Sequence, residues 1–255
     1  MTEAGAEVKD VKVGDRVIIS CVSTCMDCSY CREGLTSHCQ AMGGIGWVFG
    51  HLIDGTQAEL VRVPFADNGL IPLPEGDTVL VVGAGPVGLS AIMTAAAKGA
   101  STIIAVDGNE FRLESARKFG ATHIFTPGED TTAKVKELTA DGLGVDVAME
   151  AVGIPATFSA CLDAIRPGGH VVNLGVHGKP VEFPIDREWI NNITITTGLV
   201  NATTAPELLG RIQDGSIKPE EFVTHRFTFD QWDEAYEMFA HAADEKALKV
   251  IVTAP

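Results

Sequence analysis

The chain has 255 residues, of which 34 are acidic and 19 are basic, and its formal net charge is −15. Nucleic-acid binding and docking on an anionic membrane both require clustered Lys and Arg, so this charge argues against both functions. The beginning of the chain contains no secretory pattern, and no apolar run approaches the roughly 18 residues of a membrane helix. With 45% hydrophobic residues, the sequence predicts a cytoplasmic globular protein with a sizeable core.

The first 75 residues contain short strand-like runs, at Arg16–Ile19 and Ala58–Val63, on either side of a cluster of cysteines. The cluster consists of Cys25, Cys28, Cys31 and Cys39. Four soft thiolate ligands with no open position predict one structural zinc ion, which contributes folding energy and not reactivity. Disulfides and an iron–sulfur cluster are the alternatives. The long gap before the last cysteine and the Gln40 that follows it argue against a bacterial-type cluster.

Three further residues of metal-binding type are interpreted as neighbours and not as ligands. His38 adjoins the cluster and is expected on the surface. Cys21 stands at the end of a strand-like run, and Cys161 stands between Ala160 and Leu162 in a helical pattern, so both are expected to pack in the interior.

From residue 76 onward, apolar strand patterns alternate with helical patterns. The predicted strands are Thr78–Val82, Thr102–Val106, Thr122–Phe125, Val145–Met149 and His170–Leu174. The predicted helices between them are Pro86–Lys98, Glu110–Phe119, Thr132–Thr139 and Ile154–Ile165. After Phe222 follow a strand, an amphipathic helix around Phe229–Ala242 and a last strand at Leu248–Val252. Such alternation predicts repeated βαβ units, and strands that are apolar on both faces predict a doubly wound parallel sheet covered by helices. The expected fold class is therefore α/β.

A glycine-rich turn directly follows the first of these strands. It reads Gly83-Ala84-Gly85-Pro86-Val87-Gly88 and opens a helix, which is the pattern of a dinucleotide-binding turn. Asp107 ends the second strand, at the spacing expected for the acid that binds the adenosine ribose hydroxyls. A carboxylate there repels a 2′-phosphate and so favours NAD over NADP, while Arg112 is the nearest cation that could soften the preference. The alternative role for Asp107 is that of a helix cap.

Together these motifs resemble those of the zinc-containing, NAD-dependent medium-chain alcohol dehydrogenases. The matching segments, besides the cysteine cluster, are Val13–Val17, Asp54–Glu59, Val81–Gly88, Gly120–Thr122, Val145–Val147, Glu150–Gly153, Arg166–Gly169 and Lys246–Val250. The resemblance implies a reduced, mainly β GroES-like lobe with a zinc loop over residues 1–75. It implies a Rossmann NAD-binding domain over residues 76–255, whose last helix and strand, 229–255, return toward the first lobe.

The resemblance also assigns cofactor contacts and an assembly. It places Gly175, Val176 and His177, with Leu199, beside the nicotinamide. Val152 is placed near the adenine and Lys249 near the pyrophosphate. The family dimerises through strands near Ile193–Thr197, which implies a homodimer or a homotetramer.

Two departures from the family pattern concern the catalytic zinc. Family members carry a Cys-Gly-x-Asp segment and a Gly-His-Glu segment before the strand that Gly5–Val8 matches, and this chain starts after both. A helical stretch with the third ligand normally separates Pro74-Glu75 from Gly76-Asp77, and here these pairs are fused. The resemblance therefore implies a shortened form without the usual catalytic-zinc ligands, and no catalytic residue is assigned. His51 and His177 are the best-placed histidines outside the cluster for touching the chemistry.

Two classes of function follow from these motifs. The first is an oxidoreductase that transfers hydride between NAD and a small alcohol, ketone or aldehyde, with the catalytic zinc lost. The alternative is a non-catalytic NAD-binding module that is stabilised by zinc and serves as a sensor or subunit. A further possibility is a chain that depends on a partner to supply the missing part of its substrate site. The completeness of the cofactor motif favours the enzyme.

Overall fold

The computed structural model describes residues 22–46, 48, 49, 52, 76–139, 142–198 and 205–254. Contacts divide the chain into two compact units, of which the first is Met1–Pro72 with Leu199–Asp214 and the second is Leu73–Gly198 with Gly215–Pro255. The predicted division after residue 75 assigned residues 199–214 to the nucleotide-binding domain, whereas the contacts group them with the N-terminal unit.

In the N-terminal unit, short turns of helix surround the cysteines. They are α1 (Ser29–Arg32) and two 3₁₀ turns at Thr36–His38 and Gln40–Met42. The predicted strands at Arg16–Ile19 and Ala58–Val63 lie outside the described residues.

The second unit contains a six-stranded, fully parallel sheet. Its strands are β1 (Thr78–Val82), β2 (Thr102–Val106), β3 (His123–Phe125), β4 (Val145–Glu150), β5 (Ile165–Asn173) and β6 (Thr194–Thr197). Its helices are α2 (Pro86–Ala97), α3 (Glu110–Lys118), α4 (Thr131–Glu137), α5 (Pro155–Ala164) and α6 (Ile185–Glu188). The strand order is β3-β2-β1-β4-β5-β6, which is the order of a dinucleotide-binding Rossmann fold with its switch point between β1 and β4. The predicted α/β class is confirmed.

β1 shows why the chain folds as a sheet covered on both faces. Val79 and Val81 point to one face and pack with helix α2, while Leu80 and Val82 point to the other and pack with helix α5. All four side chains are buried. A strand with this pattern hides both faces from water only when helices cover both sides of the sheet, as βαβ crossovers do.

One strand begins well before its predicted start. β5 starts at Ile165, which pairs with Val145, and then passes through Arg166-Pro167-Gly168-Gly169 before its register with β4 resumes at His170. The pairing register between β4 and β5 shifts between Val145 and Val147, so Arg166–Gly169 form a bulge. No alternation of apolar residues in the sequence predicts it.

The C-terminal residues 215–255 group with the nucleotide-binding unit. After α7 (Ala205–Gln213), which belongs to the N-terminal unit, come β7 (Val223–Thr228), α8 (Trp232–Ala240) and β8 (Lys249–Thr253). β7 and β8 pair in parallel as a separate two-stranded sheet. Phe222 and Leu248 join the core on the α2 face of the large sheet, so this segment is attached by apolar burial. Within the described part of the chain, no helix is both long enough and apolar enough to cross a membrane.

Candidate functional site

The turn between β1 and α2 can be made only with glycine at two of its positions. Gly83 has φ +98°, and a Cβ there would lie 2.5 Å from Val152 Cγ2. A Cβ on Gly88 would lie 1.8 Å from the carbonyl oxygen of Gly83, so the start of the helix touches the end of the strand. The first and third glycines of the motif are therefore explained by the tight turn and by close helix–strand packing.

The middle glycine has a different environment. Gly85 is the N-cap of α2, and apart from its chain neighbours no atom of the described residues lies within 4 Å of a Cβ built on it. Pro86 follows at the first helical position. The N–H groups of the first helical turn and the positive end of the helix dipole therefore face an open space without a side chain, which suits a pyrophosphate.

Asp107, which directly follows β2, is hydrogen-bonded to the glycine-rich turn. Its Oδ2 accepts a hydrogen bond from the N–H of Ala84 at 2.7 Å, and its Oδ1 accepts one from the N–H of Asn109 at 2.8 Å. Asp107 is not the helix cap, because α3 is capped by Asn109, whose side chain accepts from the N–H of Arg112 at 3.0 Å. Each carboxylate oxygen keeps a lone pair, so both can accept from ribose hydroxyls.

Arg112 lies in the first turn of α3 and is half-buried. Its Nε atom is buried and, within the described part of the chain, has no hydrogen-bond partner. The guanidinium of the residue expected to soften the NAD preference is therefore incompletely paired.

Sequence reasoning did not single out Glu150, the last residue of β4, yet it organises the opposite side of the switch point. Its side chain is fully buried, and Oε1 accepts from the N–H groups of Val152 and Gly153 at 2.9 and 2.8 Å. The Thr157 hydroxyl donates to the same oxygen at 2.6 Å. A charged residue at the end of an apolar strand was the signal that could have identified it.

His177 points inward, toward this carboxylate. Its Nε2 lies 2.8 Å from Asn173 Oδ1 and 3.3 Å from Glu150 Oε2, and its ring meets Phe158 edge-on. Its side chain is 16% exposed, so most of the imidazole is buried. The adjacent Val176, by contrast, is 92% exposed.

The other residues assigned by resemblance are dispersed. Val152 lies after β4, on the opposite side of β1 from Asp107, and its Cγ2 is close to Gly83; its placement near the adenine stays a prediction. Lys249 is the exposed first residue of β8. The C-terminal segment contacts the turn between β2 and α3, where Asn109 Nδ2 donates to the carbonyl of Ala243 at 3.2 Å. Leu199 and His51 lie outside the described residues.

The four cysteines of the N-terminal unit converge. Their sulfur atoms all lie within 4.8 Å of one another, and no other such group of His, Cys, Asp and Glu occurs among the described residues. Tetrahedral zinc with thiolate ligands requires sulfur separations of about 3.8 Å, and Cys25 and Cys31 are 4.0 Å apart. His38 is exposed and is not a member of the group.

Backbone N–H groups point at the sulfur atoms of the cluster. The N–H groups of Cys25, Cys28 and Gln40 approach the sulfurs of Cys39, Cys25 and Cys28 at 3.3 to 3.4 Å. The N–H groups of Gln40 and Cys31 lower the pKa of Cys28 to about 6, whereas burial raises the pKa of Cys31 to about 11. Amides that stabilise thiolates, at separations close to those of a zinc site, fit a closed structural metal centre.

Comparison with known proteins places both units in one family. Residues 1–75 match the alcohol dehydrogenase GroES-like domain, and residues 86–214 match the zinc-binding dehydrogenase domain. An alcohol dehydrogenase of Cupriavidus necator is 32% identical over 286 residues, covering 94% of this chain and 78% of the relative. A sorbitol dehydrogenase of Bacillus subtilis is 33% identical, covering 97% and 76%. The structure of a zinc-dependent alcohol dehydrogenase 2 from Streptococcus pneumonia, in apo form, superposes with a TM-score of 0.90 at 42% identity, covering 99% of this chain and 79% of that one.

The match to the Cupriavidus necator relative also shows a difference in length. The matched stretch of 286 residues exceeds the 255 residues of this whole chain, so the relative has residues within the matched region that this chain lacks. A fused junction between Pro74-Glu75 and Gly76-Asp77 would account for such a difference, and Pro74 and Glu75 lie outside the described residues. The loss of the catalytic zinc stays a prediction.

Proposed function

We propose that this chain uses NAD to oxidise a small alcohol or to reduce the matching carbonyl compound. The reason is that it belongs to the zinc-binding dehydrogenases of the alcohol dehydrogenase family. The chain is an oxidoreductase of that family. The preference for NAD and the residues that carry the function are the parts proposed here. The observation that carries them is the Asp107 carboxylate bound to the N–H of Ala84 within the glycine-rich turn.

The adenosine diphosphate half of the cofactor would be held by the turn and by Asp107. The first turn of α2 would bind the pyrophosphate over Gly85, Pro86, Val87 and Gly88, and Lys249 would add a positive charge. Asp107 would accept hydrogen bonds from both ribose hydroxyls of NAD. In NADP a phosphate replaces the 2′-hydroxyl and cannot donate such a bond. Because Asp107 is already held by two N–H groups, it cannot turn away from an added phosphate without breaking them, and NADP is disfavoured.

The nicotinamide half would lie over the ends of β4 and β5, since a dinucleotide crosses the switch point of a Rossmann sheet. Gly175 and Val176 would contact the ring, as the resemblance also implies for Leu199. When bound, NAD supplies the hydride acceptor or, once reduced, the hydride donor. The described residues of this unit bind and orient the cofactor.

The four-cysteine cluster would hold one zinc ion without an open position, and its contribution is to folding. The proposal includes two domains: a zinc-containing lobe over residues 1–75 and an NAD-binding domain over residues 76–255. A cytoplasmic location and the small size of the substrate belong to it as well.

Assembly into a homodimer or homotetramer is also proposed. β6 (Thr194–Thr197) is the outermost strand of the described sheet, and all four of its side chains are exposed. An open strand edge of this kind can pair with a second copy of itself. Sedimentation velocity is expected to show a dimer or tetramer, and a monomer at all concentrations would remove this part of the proposal.

Steady-state kinetics with NAD and with NADP, on a panel of primary and secondary alcohols, test the proposed function. We expect turnover with at least one alcohol, with a higher kcat/KM for NAD than for NADP. Absence of turnover above the blank with every alcohol and both cofactors would refute it. The number of zinc ions per chain should be measured on the same sample. One ion per chain is expected, because only the cysteine cluster is proposed to bind zinc.

A further inference from the structure

We propose that Glu150 and His177 act together as positioning residues that set the nicotinamide-side wall of the cofactor site. Their contact would control the affinity for the nicotinamide half of NAD and leave the affinity for the adenosine diphosphate half unchanged. This inference rests on the proposed function, since it assumes that NAD binds across the β1–β4 switch point.

Glu150 ties together the two turns that follow β4 and β5. Its side chain collects the Val152 and Gly153 N–H groups after β4, and its backbone carbonyl accepts from the N–H groups of Leu174 and Gly175 at 2.8 and 3.1 Å after β5. A fully buried carboxylate is costly unless it is paired. Its three donors all bind Oε1, which leaves Oε2 without a hydrogen-bond partner in the described part of the chain.

His177 is the group that faces Oε2. The imidazole Nε2 lies 3.3 Å from this oxygen and is held there by Asn173 Oδ1 at 2.8 Å, while Asn173 Nδ2 donates to the carbonyl of Gly175 at 3.0 Å. The ring nitrogen is therefore the polar side-chain atom that lies next to this otherwise unbonded oxygen. Without the imidazole, Oε2 would lose this polar neighbour, and the turn after β5 would have to open for water to reach it.

The two turns are packed too closely to move independently. A Cβ on Gly175 would lie 2.3 Å from the N of Gly153 and 2.4 Å from Glu150 Oε2. A Cβ on Gly153 would lie 2.4 Å from the carbonyl oxygen of Val176. Because interiors at this density transmit displacements, a shift of Oε2 moves Gly175 and Val176 with it, while Oε1 keeps its bonds to the turn after β4.

The adenosine side of the site has its own anchors. Asp107 is held by the N–H groups of Ala84 and Asn109, on the other side of β1 from Glu150. Loss of the Glu150–His177 contact is therefore expected to act on one half of the cofactor. A residue that served stability alone would affect both halves equally, through the fraction of folded protein.

The test compares NAD with ADP-ribose, which has the pyrophosphate and both riboses but no nicotinamide, on the full-length protein by calorimetric titration. His177→Phe keeps a ring against Phe158 and removes the polar nitrogen. His177→Gln keeps an N–H donor close to the position of Nε2. His170→Phe is the matched control, because His170 lies exposed within β5, the strand that precedes His177, and away from both turns.

We expect His177→Phe to weaken NAD binding by about tenfold or more, as for the loss of one partner of a charged group. Its ADP-ribose affinity should stay within about twofold of the wild type, as should both affinities of the control. His177→Gln should restore most of the NAD affinity. Equal weakening of both ligands by His177→Phe, or no weakening of NAD, overturns the proposal.

Asn173→Ala supplies a second route if His177→Phe does not fold. It removes the bond that holds the imidazole in place from a half-buried position, and the same separation between NAD and ADP-ribose is expected. A wild-type protein that binds neither ligand refutes the proposed function itself. If the wild type binds both NAD and ADP-ribose but the variants change the two affinities equally or not at all, only the role of Glu150 and His177 is refuted.

Discussion

The glycine-rich turn yields a pair of substitutions with opposite expected consequences, Gly88→Ala and Gly85→Ala. A Cβ at position 88 would lie 1.8 Å from the carbonyl oxygen of Gly83, whereas carbon–oxygen contacts require about 3.3 Å. Strand and helix would have to separate by about 1.5 Å, which costs about 3 kcal/mol in a packed interior. For a chain of this size that loss lowers Tm by roughly 6 to 12 °C.

At position 85 the added methyl group meets no atom of the residues that the structure describes within 4 Å, chain neighbours aside, and φ −70° with ψ −176° suits alanine. The free energy of unfolding of Gly85→Ala should therefore stay within about 0.5 kcal/mol of the wild type. The methyl group would nevertheless stand where the pyrophosphate must approach the first turn of α2. We expect the NAD affinity to fall by about tenfold or more.

Thermal unfolding and calorimetric NAD titration of the two variants separate these effects. Gly85→Ala should unfold like the wild type and bind NAD weakly, while Gly88→Ala should unfold at a clearly lower temperature. Wild-type NAD affinity in Gly85→Ala would refute the placement of the pyrophosphate over this residue. An unchanged Tm in Gly88→Ala would refute the strand–helix contact.

Three further predictions concern zinc, cofactor choice and pH. Native mass spectrometry should find one zinc ion per chain that is released only on unfolding; Cys31→Ser should abolish it, and Cys161→Ala, which removes a buried thiol in α5, should retain it. Asp107→Asn should lower the ratio of kcat/KM for NAD to that for NADP by about tenfold or more, because a charged acceptor of ribose hydroxyls is lost, and an unchanged ratio in steady-state kinetics would contradict its role. Burial acts to raise the pKa of Asp146, but the Thr78 N–H at 2.8 Å and Arg166 at 2.6 Å outweigh it and hold the pKa below its usual value. Asp146→Asn should thus cost about 1 to 3 kcal/mol at neutral pH, and the difference from the wild type should disappear as the pH falls from about 3.9 through the lowered native pKa; a pH-independent difference in denaturant melts would exclude this linkage.

The order of strands and helices in the nucleotide-binding unit follows from patterns that are local in the chain. Val79 to Val82 are apolar without alternation, and the helix after Gly85 begins at Pro86, so strand, turn and helix are all visible in the sequence. β6 was not predicted as an element of the fold from its own residues, because Thr194–Thr197 is exposed throughout and has no apolar face. α6 and α7 were missed as well, since one is a single turn and the other has no buried residue.

The candidate site divides in the same way. The spacing of the four cysteines and the distance from Gly88 to Asp107 are set along the chain, and both were recognised. The inward turn of His177 depends on Glu150, which is far away in sequence and joins it only through the pairing of β4 with β5. Which polar side chains meet across strands depends on the register of the sheet and cannot be read from either segment alone.

Hydride transfer from a labelled alcohol to NAD is the most direct measurement of the central claim. The protein is incubated with NAD and a panel of primary and secondary alcohols that carry deuterium on the carbinol carbon, and the reduced cofactor is analysed by mass spectrometry. For at least one alcohol, NADH that carries one deuterium is expected, at a rate above that of an enzyme-free blank. Formation of no deuterated NADH from any alcohol, by a protein that binds NAD, would contradict the assignment as an alcohol oxidoreductase.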